Sequence, residues 1–282
     1  ESLKLKCLQN NLRLLDMNVK HLGTDKNYLT MQNLIRALAD DGVEMLAFYD
    51  CERVEKHDGG YTLYYTNGEK IEAEKIIIAT GRGGANFVAD FCRSFGVKMR
   101  SNYVDIGVRV EMKDIIWREF SDRIYEPKIL YRTKTFEDRC RMFCFNKTDN
   151  CNFAILSSIR FTEPFDQPTE YAESISRLAN MIGKGNVLVQ RFGDLVRGRR
   201  TNDHRLGQNT VIPTLKATSG DISLVLPHRI LTNIIETIYA LDKVAPGTAN
   251  DDTLLYGCES KYYSIRPVFM NEKFELTDNV YI

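Results

Sequence analysis

Apolar residues recur at helical spacing over residues 24–42, with Leu29, Leu34, Ile35 and Leu38 on one stripe, Thr24 placed as an N-cap and Gly42 where a C′ glycine belongs. This predicts a helix. Residues 44–49 (EMLAFY) and 61–66 (YTLYYT) read as strands, punctuated by Asp58-Gly59-Gly60 and Asn67-Gly68 as turns, so a small antiparallel meander is expected. Residues 70–74 lead into Lys75-Ile76-Ile77-Ile78-Ala79, a β-branched run without a polar face, which suits a strand buried on both sides in a parallel sheet. A glycine-rich turn and a second helix follow, its apolar face made by Phe87, Val88, Phe91 and Phe95 and its end marked by Gly96. From Val104 the pattern changes to longer alternating runs (VDIGVRVEM, ILYRTKT, NFAILSSIRF), interrupted by helical periodicity over 169–182, stopped by Gly183, and over 228–244. A second folding unit is expected to begin there.

Composition narrows the class. The chain has 282 residues, 43% of them hydrophobic, which is enough for a sizeable core and about two domains. Lys plus Arg and Asp plus Glu both number 38, so the formal charge is zero and a generally basic nucleic-acid or membrane-surface protein is disfavoured. No apolar run approaches the length of a bilayer span, and residues 1–6 lack the pattern of a secretory signal. Seven cysteines, an odd number and widely spaced, fit reduced thiols in a cytoplasmic setting. The chain opens without Met and stops at Asn279-Val280-Tyr281-Ile282 as a strand begins, so an internal piece of something longer is expected. Neither repeats nor low-complexity tracts occur.

Few motifs carry chemistry on their own. Gly81-Arg82-Gly83-Gly84-Ala85-Asn86 follows a strand and opens a helix, the context of a dinucleotide-binding turn, but Asn86 replaces the third glycine and Asp105 falls in the wrong unit for the ribose-binding acid. A ligand-binding turn and a bare strand-to-helix turn both remain open. Cys140, Cys144 and Cys151 match neither zinc nor redox spacing, and His21, His57, His204 and His228 are scattered, so no metal is expected. Gly183-Lys184-Gly185 lacks the rest of a phosphate loop. Arg197-Gly198-Arg199-Arg200 could hold an anion through fork-shaped hydrogen bonds, or be a solvated loop paired with nearby acids.

Ten segments taken in order, among them IIIATGRGGANF, VDIGVRVE, YEPKILYRTKT, RMFCFN, QRFGDLVRGRR, SLVLPHRIL and ALDKVAPG, resemble a bacterial family of largely uncharacterised FAD-dependent dehydrogenases over nearly the whole chain. The resemblance implies an α/β architecture: an incomplete FAD-binding Rossmann-type domain over 1–102, an inserted α+β substrate domain over 103–264, and a return to the FAD-binding domain over 265–282. It implies that Ala79, Thr80 and Gly81 lie against FAD through backbone, at the carboxyl end of a central strand over 76–79. It further implies that Cys51, in the segment 44–54, meets the adenine through its main chain. Against the family pattern, the opening G-x-G-x-x-G strand and the closing Gly-Asp motif are missing, and a longer Gly-rich hairpin would stand between Asn146 and Lys147. This chain alone is therefore expected to bind FAD negligibly and to be inactive. The family's reaction would pass hydride from a small-molecule substrate to flavin, with NAD(P) or another acceptor as second partner. A non-catalytic flavin or dinucleotide module is the alternative, and a nucleic-acid contact through Arg197 to Arg200 is disfavoured by the neutral charge. No catalytic base can be named; Tyr131, Arg160, Arg191, Arg197 and Arg199 are the candidate substrate contacts, as polar groups in apolar strands or in the basic loop, and that loop is expected to face the flavin domain.

Overall fold

The structure is a computed structural model and describes residues 2–16, 22, 24–100, 102–162, 164–165, 167–263 and 266–282. His21 lies outside the described residues. The strands in chain order are β1 (Leu12–Leu14), β2 (Cys51–His57), β3 (Gly60–Tyr65), β4 (Lys70–Ala73), β5 (Ile76–Ile77), β6 (Met99–Arg100), β7 (Tyr103–Lys113) and β8 (Ile129–Arg132). They continue as β9 (Arg139–Lys147), β10 (Asn150–Arg160), β11 (Leu188–Arg191), β12 (Thr218–Ser219), β13 (Leu254–Tyr262), β14 (Arg266–Pro267), β15 (Glu275–Thr277) and β16 (Val280–Tyr281). The helices are α1 (Ser2–Gln9), α2 (Thr24–Asp40), α3 (Ala85–Ser94), α4 (Arg118–Ser121), α5 (Pro168–Gly183), α6 (Phe192–Val196), α7 (Asp203–Gly207) and α8 (His228–Asp242). The chain divides into two compact units: Glu1–Leu15 with Arg100–Arg266, and Asp16–Met99 with Pro267–Ile282.

The first unit is built on an eight-stranded sheet of order β1-β8-β9-β10-β7-β13-β11-β12, antiparallel except for the β11–β12 pair. Alternation along β7 sends Val104, Ile106, Val108, Val110 and Met112 to one face, where they join Phe153 and Ile155 of β10 in a single core. Helices α5 and α8 close that core with Ile175, Ala179, Ile230, Ile234, Ile238 and Leu241. On the opposite face Ala154 and Leu156 are also buried, beside Phe143 of β9. The middle strands are thus covered on both sides, although their sequence alternates. The segment Glu1–Leu15, expected in the flavin domain, falls in this unit, because β1 pairs antiparallel with β8 at the sheet edge. Strands β9 and β10 run continuously through Asn146 and Lys147 into a tight hairpin at Thr148-Asp149. Helix α5 keeps Gly183 inside; its left-handed cap is Lys184, with φ of 50°.

The second unit carries two three-stranded sheets, β2-β3-β4 antiparallel and β15-β16-β5, in which β16 and β5 are parallel. Their core is Tyr61, Ile76, Ile78, Val88, Phe91, Cys92, Leu276 and Val280, with α3 supplying its Phe and Val face as the periodicity predicts. Two expectations fail here. Residues 44–49 form no strand, and Phe48, 95% exposed, takes φ of 65°, a left-handed conformation that breaks an extended run. The run 76–79 is not a central strand buried on both sides. Only Ile76 and Ile77 are extended in β5, which has one neighbour among the described residues, β16, and Ile77 is 76% exposed between buried Ile76 and Ile78. A strand with one covered face alternates even when every residue in it is isoleucine.

Candidate functional site

The cofactor residues inferred from the resemblance sit in the second unit. After β5 the chain turns through Ala79, Thr80 and Gly81, all exposed, into a short 3₁₀ turn and then α3. Gly81 has φ of 62°, the left-handed region in which a side chain is strained, and a Cβ there would project into open space. Gly84 is required for a different reason: a Cβ on it would lie 2.1 Å from Thr80 Oγ1, so only glycine lets the turn fold this tightly onto the helix start. The N-cap of α3 is that same Gly84, and no side chain caps the helix. The result is a small-residue turn with backbone accessible, at the carboxyl end of a parallel strand, able to lie against a flat ligand. Cys51 stands apart from it, at the start of β2 in the other sheet. Its half-buried thiol points to the Arg53 carbonyl at 3.6 Å, and burial raises the thiol pKa.

The arginines of the first unit are brought together by an acid that sequence reading passed over. Asp194, in α6, is fully buried and accepts from Arg199 Nε at 2.7 Å, Arg205 Nη1 at 3.0 Å and Thr201 Oγ1 at 2.8 Å, with Arg191 Nη1 at 3.6 Å. Burial works to raise its carboxyl pKa, but the hydrogen bonds from Arg199 and Thr201 and the charges of Arg191 and Arg199 outweigh it and hold the group below the usual carboxylate range. Arg191 is shared with Asp252, and Arg197 donates to Asp251 at 2.8 Å and to the Gly193 carbonyl at 2.8 Å. Arg191, Arg197 and Arg199, whose charge the sequence left to a bound anion, are thus each paired with an aspartate of the same unit, which makes them a brace for the loop around α6, while Arg200 is exposed. The other two candidates do not join it. Arg160 is exposed at the end of β10. Tyr131 lies on β8, separated from β11 by four strands of the sheet, and donates to Glu236 at 2.8 Å; burial, then that hydrogen bond, push its phenol pKa up. Glu236 also accepts from the Lys134 and Thr135 amides and from Thr135 Oγ1, so it pins the turn after β8.

A polar row on the outer face of the large sheet escaped prediction. Asp105 of β7 is fully buried and accepts from Ser158 Oγ at 2.5 Å, Tyr263 OH at 2.8 Å and Arg141 Nη2. Burial, then the bond to Asp105, push the Tyr263 phenol up to about 12. Arg109 forms a two-pronged pair with Glu259, at 3.2 and 3.3 Å, and donates to Asn152 Oδ1 at 2.9 Å. The available signal was the alternation Asp105, Gly107, Arg109, Glu111 in VDIGVRVEM, which places all four residues on one face. Among the described residues no cluster of His, Cys, Asp and Glu is arranged to hold a metal ion, and no helix is long and apolar enough to cross a membrane.

No family model matches the chain, and neither does any curated protein. Solved structures resembling it include FqzB, with 10% identity, a TM-score of 0.28, and coverage of 48% of this chain and 31% of that one. Tetracycline destructase Tet(55) is another, with 11% identity, a TM-score of 0.26, and coverage of 47% and 33%. The chain spans about a third of the length of the solved structures it matches. Likenesses this low carry no argument about the architecture or the chemistry.

Proposed function

We propose that this chain is part of an FAD-dependent oxidoreductase, a bacterial dehydrogenase of the family its sequence segments resemble. The observation that supports this reading is the β5 turn: Ala79, Thr80 and Gly81 leave backbone exposed at the carboxyl end of a parallel strand, immediately before a helix with no side-chain cap, where open α/β sheets take their ligands. The open space beyond Gly81, which a Cβ would enter, fits the edge of a flat ring system or its ribityl chain. FAD bound there would supply hydride acceptance; this chain's part would be to present backbone at Ala79 to Gly81 and to hold that turn rigid through the contact between Gly84 and Thr80. The donor would be a small molecule, with NAD(P) or another acceptor completing turnover. The arginine brace around Asp194 speaks against a nucleic-acid contact at Arg197 to Arg200, since Arg197 and Arg199 are already paired.

The test is the flavin content of the protein in its natural length. A stoichiometric flavin spectrum that bleaches with a reductant is expected, and Gly81→Val should weaken FAD by about tenfold or more, equivalent to about 1.4 kcal/mol, without changing the far-UV circular dichroism. A natural-length protein that takes up no FAD refutes the reading.

A further inference from the structure

We draw no further inference here: the strongest candidate, the exposed apolar stripe of Tyr28, Met31, Leu34, Ile35 and Leu38 along helix α2, carries nothing because nothing in the structure shows what covers it.

Discussion

Replacing Asp194 with asparagine tests whether the arginine cluster is a structural brace. The side chain keeps its shape and can still accept from Thr201, so the substitution isolates the charge. Removing one partner from a buried ion pair costs about 3–5 kcal/mol, because the remaining charge stays desolvated. Here the loss is smaller: Arg199 and Arg205 have side chains 44% and 36% exposed and can turn to water, while Arg191, at 18%, keeps Asp252. A loss of about 2–3 kcal/mol is expected, which for a domain of this size lowers the melting temperature by about 4–12 °C. The single tryptophan, Trp117, is fully buried in the core of the same unit, with its indole donating to Thr248 at 3.1 Å, so its fluorescence reports unfolding of that unit directly. The pH dependence follows from the direction of the shift. A carboxyl whose folded pKa is depressed contributes stability above the unfolded value, about 3.9 for aspartate, and loses it as pH falls through the lower folded value. The gap between wild type and Asp194→Asn in urea should therefore be full at neutral pH and shrink below about pH 4. A deficit under about 1 kcal/mol, or one independent of pH, would refute the brace and return Arg197 and Arg199 to the pool of ligand contacts.

Thiol labelling should follow burial. Cys140 and Cys151, pushed up to about 11 and about 12 chiefly by burial, should stay unmodified by a disulfide reagent at mild alkaline pH until the chain is unfolded, as read by peptide mass spectrometry; rapid native labelling of either would contradict the packing of β9 and β10. At the cofactor turn, Gly84→Ala should destabilise the second unit by about 1–3 kcal/mol, since the new methyl group collides with Thr80. Gly83→Ala, which meets nothing within 4 Å, should cost far less, and equal effects in hydrogen exchange of α3 would show that the contact between Gly84 and Thr80 is not what shapes the turn.

The local elements could be read from the chain because their causes are local. The stripes that form α3, α5 and α8 and the alternation that forms β7 and β10 are set by residues within a few positions of one another, and the structure places them where the pattern predicts. Long-range pairing decided the rest. The run 75–79 looked like a central strand by composition, but its place in a sheet depends on which strands lie beside it, and β16 is its single described neighbour. Asp194 lies within the segment that drew attention to the arginines, yet its burial depends on α6 folding against β11 and on Thr201 and Arg205 returning to it. Asp105, Arg141 and Tyr263 come from three strands or strand ends, and only the antiparallel register of β9, β10, β7 and β13 brings them to one point. Periodicity tells a residue which face it occupies; it carries no information about which distant residue will share that face, because that is settled by the packing of the whole sheet.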